Sequence, residues 1–193
     1  MDVTLHTPRL VLRQPVPTDA PRLARLLNNF AVSGKLSRVP YPYSLCDAEG
    51  WLANRRTDTP PGETGFSIEL PGEGLIGGCG MHQDRQGTVI GYWLGEPFWN
   101  RGFMSEAAAA VIDWYFDTSG AEHLDSGVFS FNKASLAVQR KLGFTEIGAS
   151  RRHCLARRED LRHIDTQLTR SRWTELRGVR TNMLELTASK DPS

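Results

Sequence analysis

Apolar and polar positions alternate along this chain in rhythms that change from strand-like to helix-like and back. Leu10, Val11 and Leu12 predict a short apolar strand. Thr18 and Asp19 then offer capping oxygens ahead of Pro21, and Leu23, Leu26 and Leu27 recur at helical spacing, which predicts a first helix. Asp47 to Arg56, with Trp51 and Leu52 among polar neighbours, reads as a second, shorter one. Three strands follow over Phe66–Leu70, Leu75–Met81 and Thr88–Leu94, with Asp84 to Gly87 as the turn between the last two. Ser105 to Asp117 is the clearest helix, apolar nearly all round and therefore predicted to be buried. Ser126–Phe131 reads as a strand, Asn132–Leu142 as a helix closed by Gly143, and the segments near Ile147–Leu155 and His163–Leu168 as the last two strands.

That order predicts an α+β fold of about seven strands and about four helices. The sheet should be mixed and mostly antiparallel, because hairpins pair antiparallel and a strand-helix-strand unit pairs parallel. The length of 193 residues suits one domain, placed at residues 1–180 with 181–193 as a C-terminal tail. Thr57 to Thr64, carrying Pro60, Pro61 and Gly62, reads as a loop joining helix to strand.

Composition narrows the function. With 39% hydrophobic and 23% charged residues a core can form, and a net charge of +1 lacks the positive field of a dedicated nucleic-acid or anionic-membrane binder. Cys46, Cys79 and Cys154 form neither a disulfide framework nor a zinc ribbon, so a reducing, cytoplasmic setting is expected. The N-terminus has no apolar secretory stretch, and the longest apolar run in the alanine-rich segment is only Ala107–Ile112, so no membrane partner is expected. Arginines crowd Arg151 to Arg180, a pattern that fits a solvated face with local ion pairs or an anion-binding patch.

Common catalytic signatures are absent. Gly77, Gly78 and Gly80 lack the third glycine of a dinucleotide loop, no phosphate loop or nucleophile elbow occurs, and the five histidines show no metal-ligand spacing. What remains is Leu94 to Ala107, between an apolar strand and the onset of the buried helix. A helix start carries unpaired N–H groups and about half a positive charge, so such a junction binds an anion such as a diphosphate without lysine. There Gly102 lets the backbone bend, and Ser105 either caps the helix or offers its hydroxyl to phosphate; a well-capped buried helix answers the same pattern. Asn132, Ser135 and Gln139 share one polar helix face, with Ala134, Val138 and Leu142 as the anchoring side.

The segment GYWLGEPFWNRGFMSEA, followed by NKASLAVQRKLGF, resembles the acetyl-CoA-binding core of the general N-acetyltransferase (GNAT) superfamily. The opening TPRLVLRQPVPTDAPRLARLL and closing RHIDTQLTRSRW resemble its RimJ/RimL-like branch, so most of residues 7 to 173 are covered. The resemblance implies a sheet splayed at the strand before residue 95, acetyl-CoA as co-substrate, no metal, and a homodimer. The family pattern Q/R-x-x-G-x-G/A falls on Trp99, Asn100, Arg101, Gly102, Phe103 and Met104, departing from it at Trp99 and Met104. By resemblance, Asn100 to Ser105 hold the diphosphate through main-chain amides, with Met104 tightening the loop. Trp93 and Leu94 pair along the pantetheine arm with Asn132, Ser135 faces the sulfur, and Arg140 or Lys141 meets the ribose phosphate.

The implied activity is transfer of an acetyl group to a primary amine, either a protein N-terminus or a small molecule, by direct attack; a non-catalytic acyl-CoA-binding module is the reading from another class. A thioester is already activated, so the chain has to supply proximity, an oxyanion donor, a proton acceptor and a donor for the thiolate. Ser135 is the candidate donor. Thr88 to Leu94 contains no carboxylate, and alignment with ribosomal-type members puts His153 and Cys154 at the base position, with His163 and Asp165 as further candidates. An α-amine, with a reference pKa near 8, needs less help from a base than a lysine near 10.4.

Overall fold

The computed structural model describes residues 3–56, 58–84 and 87–178. Strands β1 (Leu5–His6) and β2 (Val11–Arg13) precede helices α1 (Ala20–Leu27), α2 (Phe30–Ser33) and α3 (Leu45–Ala53). Strands β3 (Gly65–Leu70), β4 (Gly74–Asp84) and β5 (Gly87–Leu94) lead into α4 (Phe103–Ser119). Then come β6 (His123–Phe129), α5 (Lys133–Leu142), β7 (Thr145–Cys154), β8 (Glu159–Thr169) and a helix over 170–178, α6. The strands form one sheet in the order β1-β2-β3-β4-β5-β6-β8-β7.

Every neighbouring pair is antiparallel except β5 and β6, which run parallel and meet at a single bridge, Val89 to Asp125. Beyond that bridge the two strands part, so the splay falls on the strand that ends at Leu94. Helices cover both faces. Phe66 meets Trp114 of α4 edge-on at 5.3 Å, while its neighbour Ser67 hydrogen-bonds Asp19 at the head of α1 on the opposite face. Alternation of side chains along a strand requires this division. The core runs through Leu12, Ile68, Ile76, Ile90, Val111, Ile112 and Leu124, all nearly or fully inaccessible.

The sheet bends at its split. Arg152 on β7 reaches Asp84 on β4 at 2.9 Å although β5, β6 and β8 lie between them in strand order. The β7–β8 turn is tied over the same face. Leu155 N donates to Ser37 O at 3.1 Å, and Arg157 Nε donates to Gly34 O while its guanidinium stacks between Phe30 and Phe131. A concave face results, floored by β4, β5, β6 and β8 and roofed by the segment after α2.

The architecture adds a strand and two helices to the sequence expectation. The two-residue β1 and four-residue α2 are too short to carry a period. The arginines of α6 obscured an anchor, since Trp173 is buried and its indole N–H donates to Asp113 at 2.8 Å. Arg170 donates to the carbonyls of Phe116 and Ala121 at the end of α4, and Arg177 pairs with Asp113 and Asp117, so these two arginines of the charge run are tied locally. Thr18 and Asp19 do not cap α1 through their side chains. The central residues of the turn between Asp84 and Gly87, and the tail at 181–193, lie outside the described residues.

Asp19 instead anchors a buried ion cluster. Its carboxylate accepts from both terminal nitrogens of Arg13 at 2.9 and 2.7 Å, from Val16 N at 3.0 Å and from Ser67 Oγ at 3.0 Å, while Arg13 also reaches Glu69 at 2.6 Å. Burial opposes its ionisation, but the Arg13 hydrogen bonds and the Val16 amide outweigh that and hold Asp19 below the usual carboxylate range. Its contribution to stability is full above the unfolded pKa near 3.9 and fades as pH falls through the lower folded value. Asp19→Asn is expected to lose about 3 kcal/mol in urea denaturation at pH 7, because it leaves Arg13 without its main partner. The difference from wild type should shrink toward pH 2.

Candidate active site

The segment between β5 and α4 is a tight crossing. Gly95 N bonds Ile76 O at 2.9 Å, Glu96–Phe98 make one 3-10 turn, and the Trp99 indole donates to Leu94 O at 2.8 Å. Asn100 (φ 59) and Gly102 (φ 77) then adopt left-handed backbone ahead of Phe103, the kind of conformation that builds an anion-binding nest. Among the described residues no hydrogen bond satisfies the N–H of Asn100, Arg101, Gly102, Phe103, Met104 or Ser105. Six donors in a row, at the positive end of a 17-residue helix, make a cradle for an anion.

The surroundings reinforce the sign. Lys35 Nζ lies 4.0 Å from the Trp99 ring centre, and Arg101 covers Phe103 at 4.7 Å; neither makes an ion pair with a described residue. The acid of the first turn, Glu106, is committed elsewhere: Arg9 Nε donates to it at 2.6 Å and Thr7 Oγ1 at 2.7 Å. Partial burial works against its charge, but Thr7 and Arg9 hold Glu106 below the ordinary carboxylate value. Arg9 Nη1 also donates to Arg101 O at 3.0 Å, which fixes the loop. Ser105 does not cap the helix, and Met104 is buried in the core.

Beside the gap between β5 and β6 the start of α5 is fixed by Asn132, whose side-chain oxygen accepts from Ser135 N at 3.4 Å. Ser135 Oγ donates to the Tyr92 hydroxyl at 3.2 Å, and that hydroxyl donates to Ser135 O at 3.3 Å. Burial pushes the Tyr92 phenol well above its ordinary value, so it keeps its proton. Tyr92 escaped the sequence reading because an aromatic residue in an apolar strand signals core. Trp93, its neighbour, points to the opposite, concave face, where its indole lies over Gly78.

The polar face of α5 divides. Gln139 is buried and donates to Ser126 Oγ at 3.0 Å while accepting from Thr166 Oγ1 at 3.0 Å, so it ties α5 to β6 and β8. Leu136, Gln139 and Leu142 anchor the helix, whereas Ala134 is exposed, contrary to the sequence expectation. Arg140 pairs with Glu146 at 2.9 Å on the surface and Lys141 is exposed.

The histidines separate too. His153 is 53% exposed and contacts Asp160 at 2.7 Å beside the β7–β8 turn; Cys154, its neighbour, is buried under Gly34 and Leu36. His163 lies on the concave face with Asp165 at 2.9 Å. His82 on β4 shares that face. Burial first, then Arg38 and Arg152, push it down to about 4, with Asp84 partly opposing. No group of three or more His, Cys, Asp or Glu among the described residues is arranged to hold a metal, and no described helix is long and apolar enough to cross a membrane.

The fold and the cradle define an acyltransferase of the N-acetyltransferase class. Residues 9–145 match the acetyltransferase (GNAT) domain family, and the chain belongs to it. It is 28% identical over 153 residues to the uncharacterized N-acetyltransferase p20 of Bacillus licheniformis, covering 77% of this chain and 85% of that one. Among solved structures it resembles RimL, a ribosomal L7/L12 α-N-protein acetyltransferase in complex with coenzyme A (TM-score 0.74, 20% identity, 86% of this chain and 98% of that one). It also resembles Mycobacterium smegmatis RimJ in complex with a coenzyme A disulfide (TM-score 0.73, 21% identity, 88% and 87%).

Gln139→Leu keeps the volume of the α5 tie but strands the Thr166 hydroxyl and removes one partner of Ser126, which still donates to Ile90 O. Denaturant unfolding should show a loss of about 2 kcal/mol, the cost of leaving buried polar groups unpaired. A value within 0.5 kcal/mol of wild type would mean that water takes over these bonds.

Proposed function

We propose that this protein moves an acetyl group from acetyl-CoA to the α-amino group at the N-terminus of a protein. The observation that carries the cofactor is the run of six unsatisfied N–H groups from Asn100 to Ser105, flanked by Lys35 and Arg101. A diphosphate is the part of coenzyme A that such donors fit. The likeness to RimJ and RimL supports the acceptor class.

In this reading Trp93 and Leu94 line the pantetheine arm along the unpaired edge of β5, and Asn132 bonds it from α5. Arg140 turns from its exposed pair with Glu146, which has little energy of its own, toward the ribose phosphate. Acetyl-CoA brings an activated acyl group, so the chain needs no covalent intermediate. A main-chain amide at the end of β5 holds the carbonyl oxygen, and Ser135, kept in place by Tyr92, protonates the departing thiolate. A cytoplasmic location suits that substrate pair.

Transfer of labelled acetyl to peptides with free amino termini, run beside polyamines and aminoglycosides, tests the acceptor; labelling of the small amines alone would overturn it. The cradle has a sharper test. Ser105→Pro deletes one N–H in a helical turn that tolerates proline, whereas Ser105→Ala deletes only the hydroxyl. Calorimetry should show coenzyme A affinity falling roughly tenfold or more in the first and staying within about twofold in the second, since a charge-assisted hydrogen bond contributes about 1.5–3 kcal/mol.

A further inference from the structure

We infer that His163, oriented by Asp165, is the proton acceptor for the attacking amine; this rests on the acetyl-transfer reading above. Three observations converge on it. The first is the hydrogen-bond chain. Ser150 Oγ donates to Asp165 Oδ1 at 2.9 Å, and Asp165 Oδ1 lies 2.9 Å from His163 Nδ1. A carboxylate only accepts, so in the neutral ring the proton sits on Nδ1 and the lone pair on Nε2. That nitrogen has no partner among the described residues.

The second is position. His163 faces β6 from β8, in register with Phe129, and its ring leans over Gly127. Nε2 stands 2.9 Å from where a Cβ at 127 would lie, and the ring itself occupies that place, so only glycine fits beneath it. Gly127 is two residues past Asp125, which makes the one backbone bridge to β5, and one past Ser126, whose hydroxyl donates to Ile90 O. The imidazole therefore sits at the lip of the gap. Across it, Gly91, two residues past Val89, is exposed and has open space where a side chain would stand.

The third is the alternation of faces. Side chains at 91 and 92 point to opposite sides of the sheet, so the Tyr92–Ser135 pair lies on the α5 side while His163 lies on the concave side. A thioester lodged in the gap then meets an incoming amine from one face and a proton donor from the other. Nε2 of His163 accepts one proton from the neutral amine as the C–N bond forms. The C–S bond breaks with its electron pair on sulfur, and the Ser135 hydroxyl of the Tyr92–Ser135 pair gives the thiolate a proton. Solvent returns the proton from His163 to that pair, so the products are the acetamide and free coenzyme A.

The other two histidines of this region fit less well. His82 is neutral but too weak a base at neutral pH, and His153 with Asp160 stands in solvent beside the β7–β8 turn.

The test combines kinetics with spectroscopy. With an alanyl-terminated peptide as acceptor, His163→Gln should lower kcat roughly 100-fold or more, while coenzyme A affinity by calorimetry stays within about twofold. In the wild-type protein, nitrogen-15 spectra should show coenzyme A shifting the His163 Nε2 resonance and leaving that of His153 in place. This readout survives even if the variant misfolds. Unchanged kcat in His163→Gln, or a His163 resonance indifferent to bound coenzyme A, overturns the assignment alone. Failure of the wild-type chain to bind coenzyme A or to acetylate the peptide overturns the acetyl-transfer reading and this inference with it.

Discussion

Two parallel strands that meet at one bridge and then diverge leave facing rows of backbone N–H and C=O groups without partners. Buried backbone groups are almost always paired, so such a split persists only where something else supplies hydrogen bonds. Here β5 and β6 separate after Val89 and Asp125, and the polar groups of that region converge on the opening. Ser126 Oγ donates to Ile90 O at 3.0 Å and Gln139 braces Ser126 from α5, so the near end of the split is closed from the α5 side. At the far end no such brace is present among the described residues.

The split also explains why the crossing to α4 carries the anion cradle. A chain leaving the end of β5 must turn at once into a buried helix, and the left-handed residues at 100 and 102 make that turn in a stretch whose amides have no partner among the described residues. Arg9, reaching over from the β1–β2 connection, ties down Glu106 and the Arg101 carbonyl, so the one acid of the first turn does not repel an incoming phosphate. The cradle and the slot share a wall. In the proposed function, a ligand charged at one end and thioester-tipped at the other spans both.

Much of this was legible in the residues. Apolar periodicity located the three central strands, α4 and α5, and the glycine at 143 marked a helix end with φ 94. The cradle was legible because it depends on backbone position, which a strand-glycine-helix sequence reports directly. Side-chain partnerships across long separations were not. Nothing in the order of residues says that Gln139 is buried between Ser126 and Thr166, that Asp19 serves Arg13 rather than a helix cap, or that Tyr92 reaches Ser135 across the split. The histidines make the same point. His153 and His163 each lie beside an aspartate, and only the fold puts the first at the β7–β8 turn and the second over Gly127.

Amide hydrogen exchange with and without coenzyme A addresses the central claim most directly. If the gap and its adjoining turn are the ligand's seat, protection should rise at the β5 end through Leu94 and at Asn100–Ser105, with little change in β1–β3. Protection confined to another face, or none at these amides despite saturating ligand, would contradict the account.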